Sequence, residues 1–128
     1  MTELPPTAAD TQAPGESGQI TFDDFLKVDV RVGQIVEARP FPKARKPAYQ
    51  LRVDFGGAIG ERWSSAQLTE RYALGDLVGR RVLAVVNFPP RQIANFMSQV
   101  LVLGVPDERG NVVLVRPDAD VPLGGRLF

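Results

Sequence analysis

The feature that most constrains the fold is a series of short segments in which apolar and polar residues alternate. Residues 28–32 alternate valine with charged residues, and residues 49–55 alternate large apolar residues with Gln, Arg and Asp. A period of two is typical of a strand with one buried face. Further strands are predicted over residues 61–64, 81–86, 99–103 and 112–115. Several short strands punctuated by glycine, with little helix between them, predict a small all-β barrel rather than an α/β sheet.

Local signals add two short helices and a bend to this barrel. Thr21 can cap a short helix whose first turn carries two aspartates. A helical turn is predicted over residues 66–72, with Ser65 as its cap. The alternation changes phase after Gly33, which is therefore predicted to form a bulge or a sharp bend.

Length and composition predict a mobile tail followed by one domain. Residues 1–18 are rich in Pro, Ala, Thr, Gly and Ser, and they have too little apolar surface to repay the entropy of ordering. Residues 19–128 are predicted to form the domain. The first residues do not resemble a signal peptide, and no run approaches the ~20 apolar residues that span a bilayer. We therefore expect a cytoplasmic protein without a membrane partner.

The residue types that are missing argue against an enzyme. The chain has neither cysteine nor histidine, so it lacks thiolate and imidazole metal ligands and the commonest general base near neutral pH. Its acidic residues are scattered, and no spacing shows that two of them converge. We therefore predict a non-catalytic protein without a metal or an organic cofactor.

The charge is distributed unevenly, although the formal net charge is zero. Residues 31–97 hold 11 Lys and Arg against 5 Asp and Glu, whereas residues 1–30 hold 1 Lys against 6 acids. The resulting local charges are +6 and −5. This asymmetry is compatible with a basic face on the folded part, and a solvated surface of mixed charge is the alternative.

Residues 87–98 form the segment with the strongest binding character. They contain a double-proline corner and lie between two apolar runs, so they are predicted to form a surface connection between buried strands. Asn87, Arg91 and Ser98 are its candidate hydrogen-bonding residues. The alternative is a stiff connector in which Asn87 and Ser98 satisfy backbone groups of the protein itself.

Several motifs, in the same order, resemble those of the tRNA-binding domain family, which has the oligonucleotide-binding (OB) fold. They lie at residues 24–33, 42–45, 53–56, 87–91 and 98–103. The resemblance covers residues 20–128, and residues 64–67 and 84–91 resemble the bacterial CsaA group specifically. It implies a five-stranded OB-fold barrel with a C-terminal extension, a homodimer, and binding of tRNA or another structured RNA. For the CsaA group it also implies an export-related chaperone activity on unfolded preproteins.

The resemblance turns the basic and polar residues of two regions into RNA-binding candidates. Cations between two prolines at positions 42 and 47, together with one on the second strand, are candidate phosphate contacts. The only tryptophan is a candidate for base stacking or a half-buried core residue, and the residues after it are candidate polar contacts. The predicted RNA-binding residues are Lys43, Arg45, Lys46, Arg52, Trp63, Ser64, Ser65, Gln67, Asn87, Arg91 and Ser98.

An alternative function, binding of unfolded polypeptide, would use apolar residues of the same segment. Phe88, Ile93, Phe96 and Met97 are the candidate peptide contacts. The same side chains could instead pack over the mouth of the barrel. The family's usual glycine is replaced by Val100, which makes this region more apolar.

The predicted last strand, residues 112–115, is apolar on both faces. An edge strand of this kind requires a cover. Either a second subunit or the chain's own segment at residues 121–123 would provide it.

Overall fold

The computed structural model describes residues 18–128, so the predicted tail lies outside the described residues apart from Gly18. The described part begins with a short helix, α1 (Phe22–Leu26). Its predicted cap is confirmed, because Thr21 Oγ1 accepts a hydrogen bond from Asp24 N at 3.1 Å and Asp24 Oδ2 accepts one from Thr21 N at 3.0 Å. Hydrogen bonds to its carboxylate, first from the Thr21 backbone and then from the Thr21 and Lys27 side chains, lower the pKa of Asp24 below its ordinary value.

Nine strands follow, and they confirm the predicted all-β class. They are β1 (Val30–Pro40), β2 (Tyr49–Asp54), β3 (Glu61–Ala66), β4 (Arg81–Val85), β5 (Arg91–Ile93), β6 (Phe96–Ser98), β7 (Leu101–Val102), β8 (Gly104–Pro106) and β9 (Val112–Leu114). The main sheet has five antiparallel strands in the order β3-β2-β1-β4-β7. The pairs β5-β6 and β8-β9 form two separate two-stranded sheets. The five-stranded sheet curls into the nearly closed barrel that the OB fold requires.

The barrel closes between β3 and the segment before β7, partly through side chains. Gln99 N donates a hydrogen bond to Trp63 O at 2.7 Å, and the Gln99 side-chain oxygen accepts one from Trp63 N at 2.8 Å. Ser98 Oγ accepts a hydrogen bond at 3.0 Å from Ser65 N, further along β3. The strand predicted over residues 99–103 is therefore shortened to β7, because amide and hydroxyl groups replace regular backbone pairing at its start.

Gly33 serves the barrel in a different way from the one predicted. It lies inside β1 and pairs in register with Val82. A Cβ atom at this position would lie 2.5 Å from Val53 Cγ1 and 2.8 Å from Phe55 Cε1, so only glycine allows β2 to approach. The register shift itself lies further along, between Ile35 and Glu37. A bulge therefore does occur in β1, but its predicted position at Gly33 is wrong.

The helical turn predicted over residues 66–72 is reduced to a single hydrogen-bonded turn, in which Tyr72 N donates to Leu68 O at 3.1 Å. Its predicted cap is wrong, because Ser65 is part of β3, and a separate 3₁₀ helix follows at Leu74–Asp76. Tyr72 is tethered from two sides, since its carbonyl accepts from Tyr49 Oη at 2.8 Å and its own Oη accepts from Leu114 N at 3.1 Å. These tertiary bonds hold the end of the turn against the barrel.

Two apolar clusters lie on opposite sides of the barrel wall. The barrel interior contains Ile35, Leu51, Val53, Phe55, Leu68, Leu77, Val82, Ala84 and Val100. A second cluster is formed by Val30, Val32, Leu83 and Val85, and Val115, Val121 and Leu123 pack against it. The end of the last predicted strand and the chain's own C-terminal segment therefore pack on the same outer cluster.

The C-terminal extension continues as an irregular partner of β1. Gly124 N donates to Val32 O at 2.8 Å, Val32 N donates to Gly125 O at 2.9 Å, and Leu127 N donates to Val30 O at 2.9 Å. The extension thus pairs with the edge of β1 that β4 does not use. In the part of the chain that the structure describes, neither helix has the length and apolar character required to cross a membrane.

Candidate functional site

The connection between β1 and β2, residues 41–48, carries three of the predicted RNA contacts, and we name it the basic loop. Lys43, Arg45 and Lys46 are all exposed. The two ends of the loop, Phe41 and Ala48, are buried. Phe41 packs edge-on against Phe96, with ring centroids 5.3 Å apart. The loop is therefore anchored at both ends and displays its cations to solvent.

Arg52, the fourth predicted phosphate contact, is held by acidic residues. Its Nη2 lies 2.9 Å from Glu37 Oε1, and its Nη1 bonds Glu61. The hydrogen bond to Glu61, followed by that to Glu37, raises the pKa of Arg52 above its ordinary value. Two carboxylates compensate this guanidinium, so Arg52 does not offer the same electrostatic attraction to a phosphate as the basic loop does.

Trp63 lies in β3 and pairs with Arg52 of β2. Its ring is partly covered. The guanidinium of Arg39 lies 4.3 Å from the centroid of the indole, and Phe96 packs edge-on against it at 5.9 Å. Arg39 Nε donates a hydrogen bond to Gln50, its partner residue on β2, at 3.0 Å. A base cannot stack on the indole face that Arg39 covers. The sequence did not single out Arg39, because its pairing with Gln50 depends on the register between β1 and β2, which shifts at a bulge.

The polar residues that follow Trp63 divide into buried and exposed ones. Ser64 is buried and its hydroxyl donates to Ser65 O at 3.1 Å, so this side chain is not accessible to a ligand. Ser65 is half-buried at the closure of the barrel. Gln67 is exposed and lines a cleft of about 210 Å³ together with Lys46 and Asn111. Of the three, Gln67 is therefore the one beside the basic loop.

The segment from residue 87 to residue 100, which we name the closing segment, uses its polar side chains internally. Asn87 Oδ1 accepts from Asp29 N at 3.0 Å, and Asn87 Nδ2 donates to Lys27 O at 2.8 Å. Ser98 accepts from Ser65 N and donates to Val100 O at 3.4 Å. The alternative reading of this segment, in which Asn87 and Ser98 satisfy backbone groups, agrees with this geometry.

A cleft of about 350 Å³ lies between the β5-β6 hairpin and the barrel. Phe88, Ile93 and Arg91, all predicted contacts, line it. The remaining lining residues are Ser65, Pro89, Ser98, Gln99, Val100 and Leu101. The cleft is thus mainly apolar and has one cationic side chain, a combination that suits an extended peptide or the apolar edge of another ligand.

The other two predicted peptide contacts do not line this cleft. Phe96 is only 9% exposed and packs with Phe41 and Trp63, so it supports the basic loop rather than offering a surface. Met97 is 48% exposed and faces Gln92 across the hairpin. Between residues 18 and 128 the structure holds no group of three or more acidic residues that could bind a metal ion.

Comparison with known proteins places this barrel in a family. Residues 30–126 match the model of the family described as "Putative tRNA binding domain". The crystal structure of the chaperone CsaA from Bacillus anthracis is 46% identical, with a TM-score of 0.81, and the match covers 87% of this chain and 100% of that one. The CsaA chaperone protein from Picrophilus torridus is 49% identical, with a TM-score of 0.80, over 86% of this chain and 100% of that one.

Larger proteins contain a similar segment. A methionine–tRNA ligase of Porphyromonas gingivalis is 34% identical over 126 residues, which is 98% of this chain but 18% of the ligase. The chain therefore spans less than a fifth of the length of the curated ligases it matches. The match over residues 30–126 and the full coverage of the two CsaA structures decide its classification. The chain belongs to the tRNA-binding domain family, as a protein of the CsaA type.

Proposed function

We propose that the protein is a non-catalytic, cytoplasmic RNA-binding protein of the CsaA type whose ligand is tRNA or another structured RNA. The observation that carries this proposal is the basic loop, which displays Lys43, Arg45 and Lys46 in a chain of the tRNA-binding domain family. OB folds commonly bind oligonucleotides through the loop between their first two strands and through the adjacent strand face. Anchoring by Phe41 and Ala48 supports a defined position for the three charges.

The test is the salt dependence of tRNA binding, measured by fluorescence anisotropy. Each phosphate contact contributes about 0.7 to 0.9 to the slope of log affinity against log salt concentration, because binding releases condensed counterions. Replacing Lys43, Arg45 and Lys46 together with Gln should therefore flatten this slope by about 2 to 3. A wild-type slope near zero would exclude electrostatic RNA binding, and an unchanged slope in the variant would place the phosphate contacts elsewhere.

A second function, binding of unfolded polypeptide, is favoured by the cleft beside the β5-β6 hairpin. Its apolar side chains, which include Phe88, Ile93 and Leu101, fit an extended apolar segment. The polar groups near it, Ser98 and Gln99, already bond the barrel closure. The cleft therefore offers mainly apolar contact, which tolerates different peptide sequences.

The salt dependence of binding distinguishes the two functions. RNA binding should weaken as salt screens the basic loop, whereas binding of an apolar peptide in the cleft should persist or strengthen. Phe88→Asp, at an exposed residue that lines the cleft, should abolish peptide binding and leave tRNA binding unchanged. Val105→Asp, at an exposed valine of the β8-β9 hairpin, is the matched control. Equal loss of peptide binding in both variants would exclude the cleft as the peptide site.

We also propose that the protein is a homodimer. Exposed apolar side chains are concentrated on α1 and its flanks and on the C-terminal extension, with Phe22 69% exposed. The two regions adjoin, since Arg126 Nη2 donates to Leu26 O at 2.7 Å. Sedimentation of the wild type should give the dimer mass, and Phe22→Ser combined with Leu26→Ser should give the monomer. Val105→Ser is the control, and a monomeric wild type would refute the proposal.

A further inference from the structure

Arg39 and Trp63 form a stacked pair on the outer face of the barrel. Arg39 lies near the end of β1 and Trp63 lies in β3, with β2 between them. Their side chains meet across β2, where the guanidinium carbon lies 4.3 Å from the indole centroid. This is the distance of a close cation–π contact. The pair therefore makes a layered surface that consists of a guanidinium on top of an indole.

Neighbouring side chains hold the guanidinium in this position. Arg39 Nε donates to Gln50 Oε1 at 3.0 Å, and Arg39 Nη1 lies 3.9 Å from Glu37 Oε2. Together with Trp63, these contacts restrain a side chain that is otherwise rich in rotamers. Because folding has already reduced its freedom, Arg39 loses less entropy on binding a ligand than an exposed side chain on a loop does.

Arg39 is nevertheless accessible. Half of its side chain, 50%, is exposed. The guanidinium carbon lies over the Trp63 ring, Nε donates to Gln50, and Nη1 lies 3.9 Å from Glu37 Oε2. The side of the guanidinium that faces away from Trp63 is the part that can meet a ligand. A flat guanidinium plane is a surface on which unpaired nucleobases stack.

The local charge favours a base over a phosphate as the group bound here. Arg39 and Arg52 are accompanied on this face by Glu37 and Glu61, so the patch has no net positive charge. Phosphates gain little from a compensated patch, whereas the face of a neutral base does not require net charge. The basic loop is close enough to contact the backbone of the same strand, since Lys43 is four residues after Arg39, at most ~14 Å away along the chain.

We propose that Arg39, backed by Trp63, is a stacking platform for one unpaired nucleobase, so that the protein prefers RNA with accessible bases to a fully paired duplex. This inference rests on the proposed RNA-binding function and specifies the ligand of the same site. In a duplex both faces of each internal base are already stacked, so the platform has no partner there. The basic loop would bind either RNA through phosphates.

The test compares a short single-stranded RNA with a blunt duplex RNA, using Arg39→Lys and Arg116→Lys. Both variants keep the charge and remove a planar guanidinium, one at the platform and one at an exposed arginine outside the proposed site. We expect Arg39→Lys to weaken binding of the single strand by about tenfold, the size of one lost base stack, without changing duplex binding. Arg116→Lys should change neither. Because the chain has a single tryptophan, its fluorescence should respond to the single strand in the wild type and respond less in Arg39→Lys.

The outcomes distinguish the platform from the broader function. A wild type that binds neither RNA would overturn both the RNA-binding proposal and the platform. A wild type that binds both RNAs, with Arg39→Lys retaining full affinity for the single strand, would overturn the platform alone. Equal weakening of both RNAs by Arg39→Gln, with Arg39→Lys unaffected, would identify Arg39 as a phosphate contact and also overturn it. Thermal unfolding of each variant verifies that the barrel is intact.

Discussion

The basic loop and the closing segment are both polar, both contain prolines and both connect strands of the barrel, yet their side chains have different partners. The polar groups of Asn87, Ser98 and Gln99 bond backbone groups of neighbouring segments. Lys43 and Arg45 are instead exposed on a loop whose ends are buried. A polar residue between strands therefore indicates binding only when the barrel does not need its hydrogen bonds.

The largest effect that we predict would come from opening the barrel closure. Ser98→Ala combined with Gln99→Ala removes the acceptors of Ser65 N and Trp63 N. Because each orphaned backbone donor costs about 1 to 3 kcal/mol, the free energy of unfolding should fall by about 2 to 6 kcal/mol. Urea denaturation measures this. Gln92→Ala, on the exposed hairpin, is the control and should be nearly neutral. A double variant as stable as the wild type would show that the closure does not depend on these side chains.

Asn87→Ala should have the next largest effect and should also act on stability. Its amide bonds Asp29 N and Lys27 O, which ties the start of the closing segment to the residues after α1. Loss of two exposed hydrogen bonds should cost about 1 to 2 kcal/mol of unfolding free energy. The salt slope of tRNA binding should stay unchanged at a temperature where the variant is folded. A flatter slope with full stability would instead assign Asn87 to the RNA interface.

Arg45→Gln should have the opposite profile, with unchanged stability and weaker RNA binding. Loss of one phosphate contact should reduce the salt slope by about 0.7 to 0.9. When the salt concentration rises from about 50 to about 200 mM, the affinity of the variant should therefore fall by about threefold less than that of the wild type. Arg116→Gln removes the same charge from another exposed arginine and is the matched control. The comparison between the two regions would fail if both arginine variants changed the slope equally.

Arg91→Ala tests the one cation that lines the hairpin cleft. We expect tRNA binding weaker by about tenfold or more with an unchanged unfolding midpoint, since a charge-assisted hydrogen bond to a ligand contributes about 1.5 kcal/mol or more. Arg116→Ala is the control. Equal losses of binding and thermal stability would give Arg91 the same structural role as Asn87 and Ser98.

The smallest effect concerns the turn beside the basic loop. Burial alone would raise the pKa of Asp107, but hydrogen bonds from Arg109 N, Asn111 N and Arg71 together lower it below its ordinary value of 3.8. A lowered folded-state pKa contributes stability above pH 3.8, and this contribution is lost as the pH falls through the folded-state value.

This pH effect can be measured with Asp107→Asn. The wild type should be more stable than the variant at neutral pH, and the difference should shrink as the pH falls below 3.8. Unfolding midpoints measured over this range test the sign. A difference that grows in acid would mean that the carboxylate does not stabilise the turn.

Much of the fold could be predicted because strand alternation is a local property. The pattern in residues 49–55 predicted β2 to within one residue, and the cap at Thr21 was readable from residues three positions apart. The helical turn predicted over residues 66–72 is shorter in the structure, since β3 includes Ser65 and bonds from Tyr49 and Leu114 hold Tyr72. A structural requirement for glycine at position 33 was predicted correctly, but the reason was not a bulge. Glycine is required there because Val53, on the neighbouring strand, leaves no room for a side chain.

The candidate site divides in the same way. Sequence alone determined the family motifs, the all-β class and the charge of the basic loop, since these depend on residue type, order and local period. Only the tertiary structure decided which polar side chains are free to meet a ligand and which bond other groups of the protein. Asn87 and Ser98 bond backbone groups, and Arg52 pairs with two acidic residues. Arg39 lies on Trp63 across β2. The physical reason is that hydrogen bonds and stacking depend on distances between strands that are remote in sequence, and residue spacing along the chain does not contain those distances.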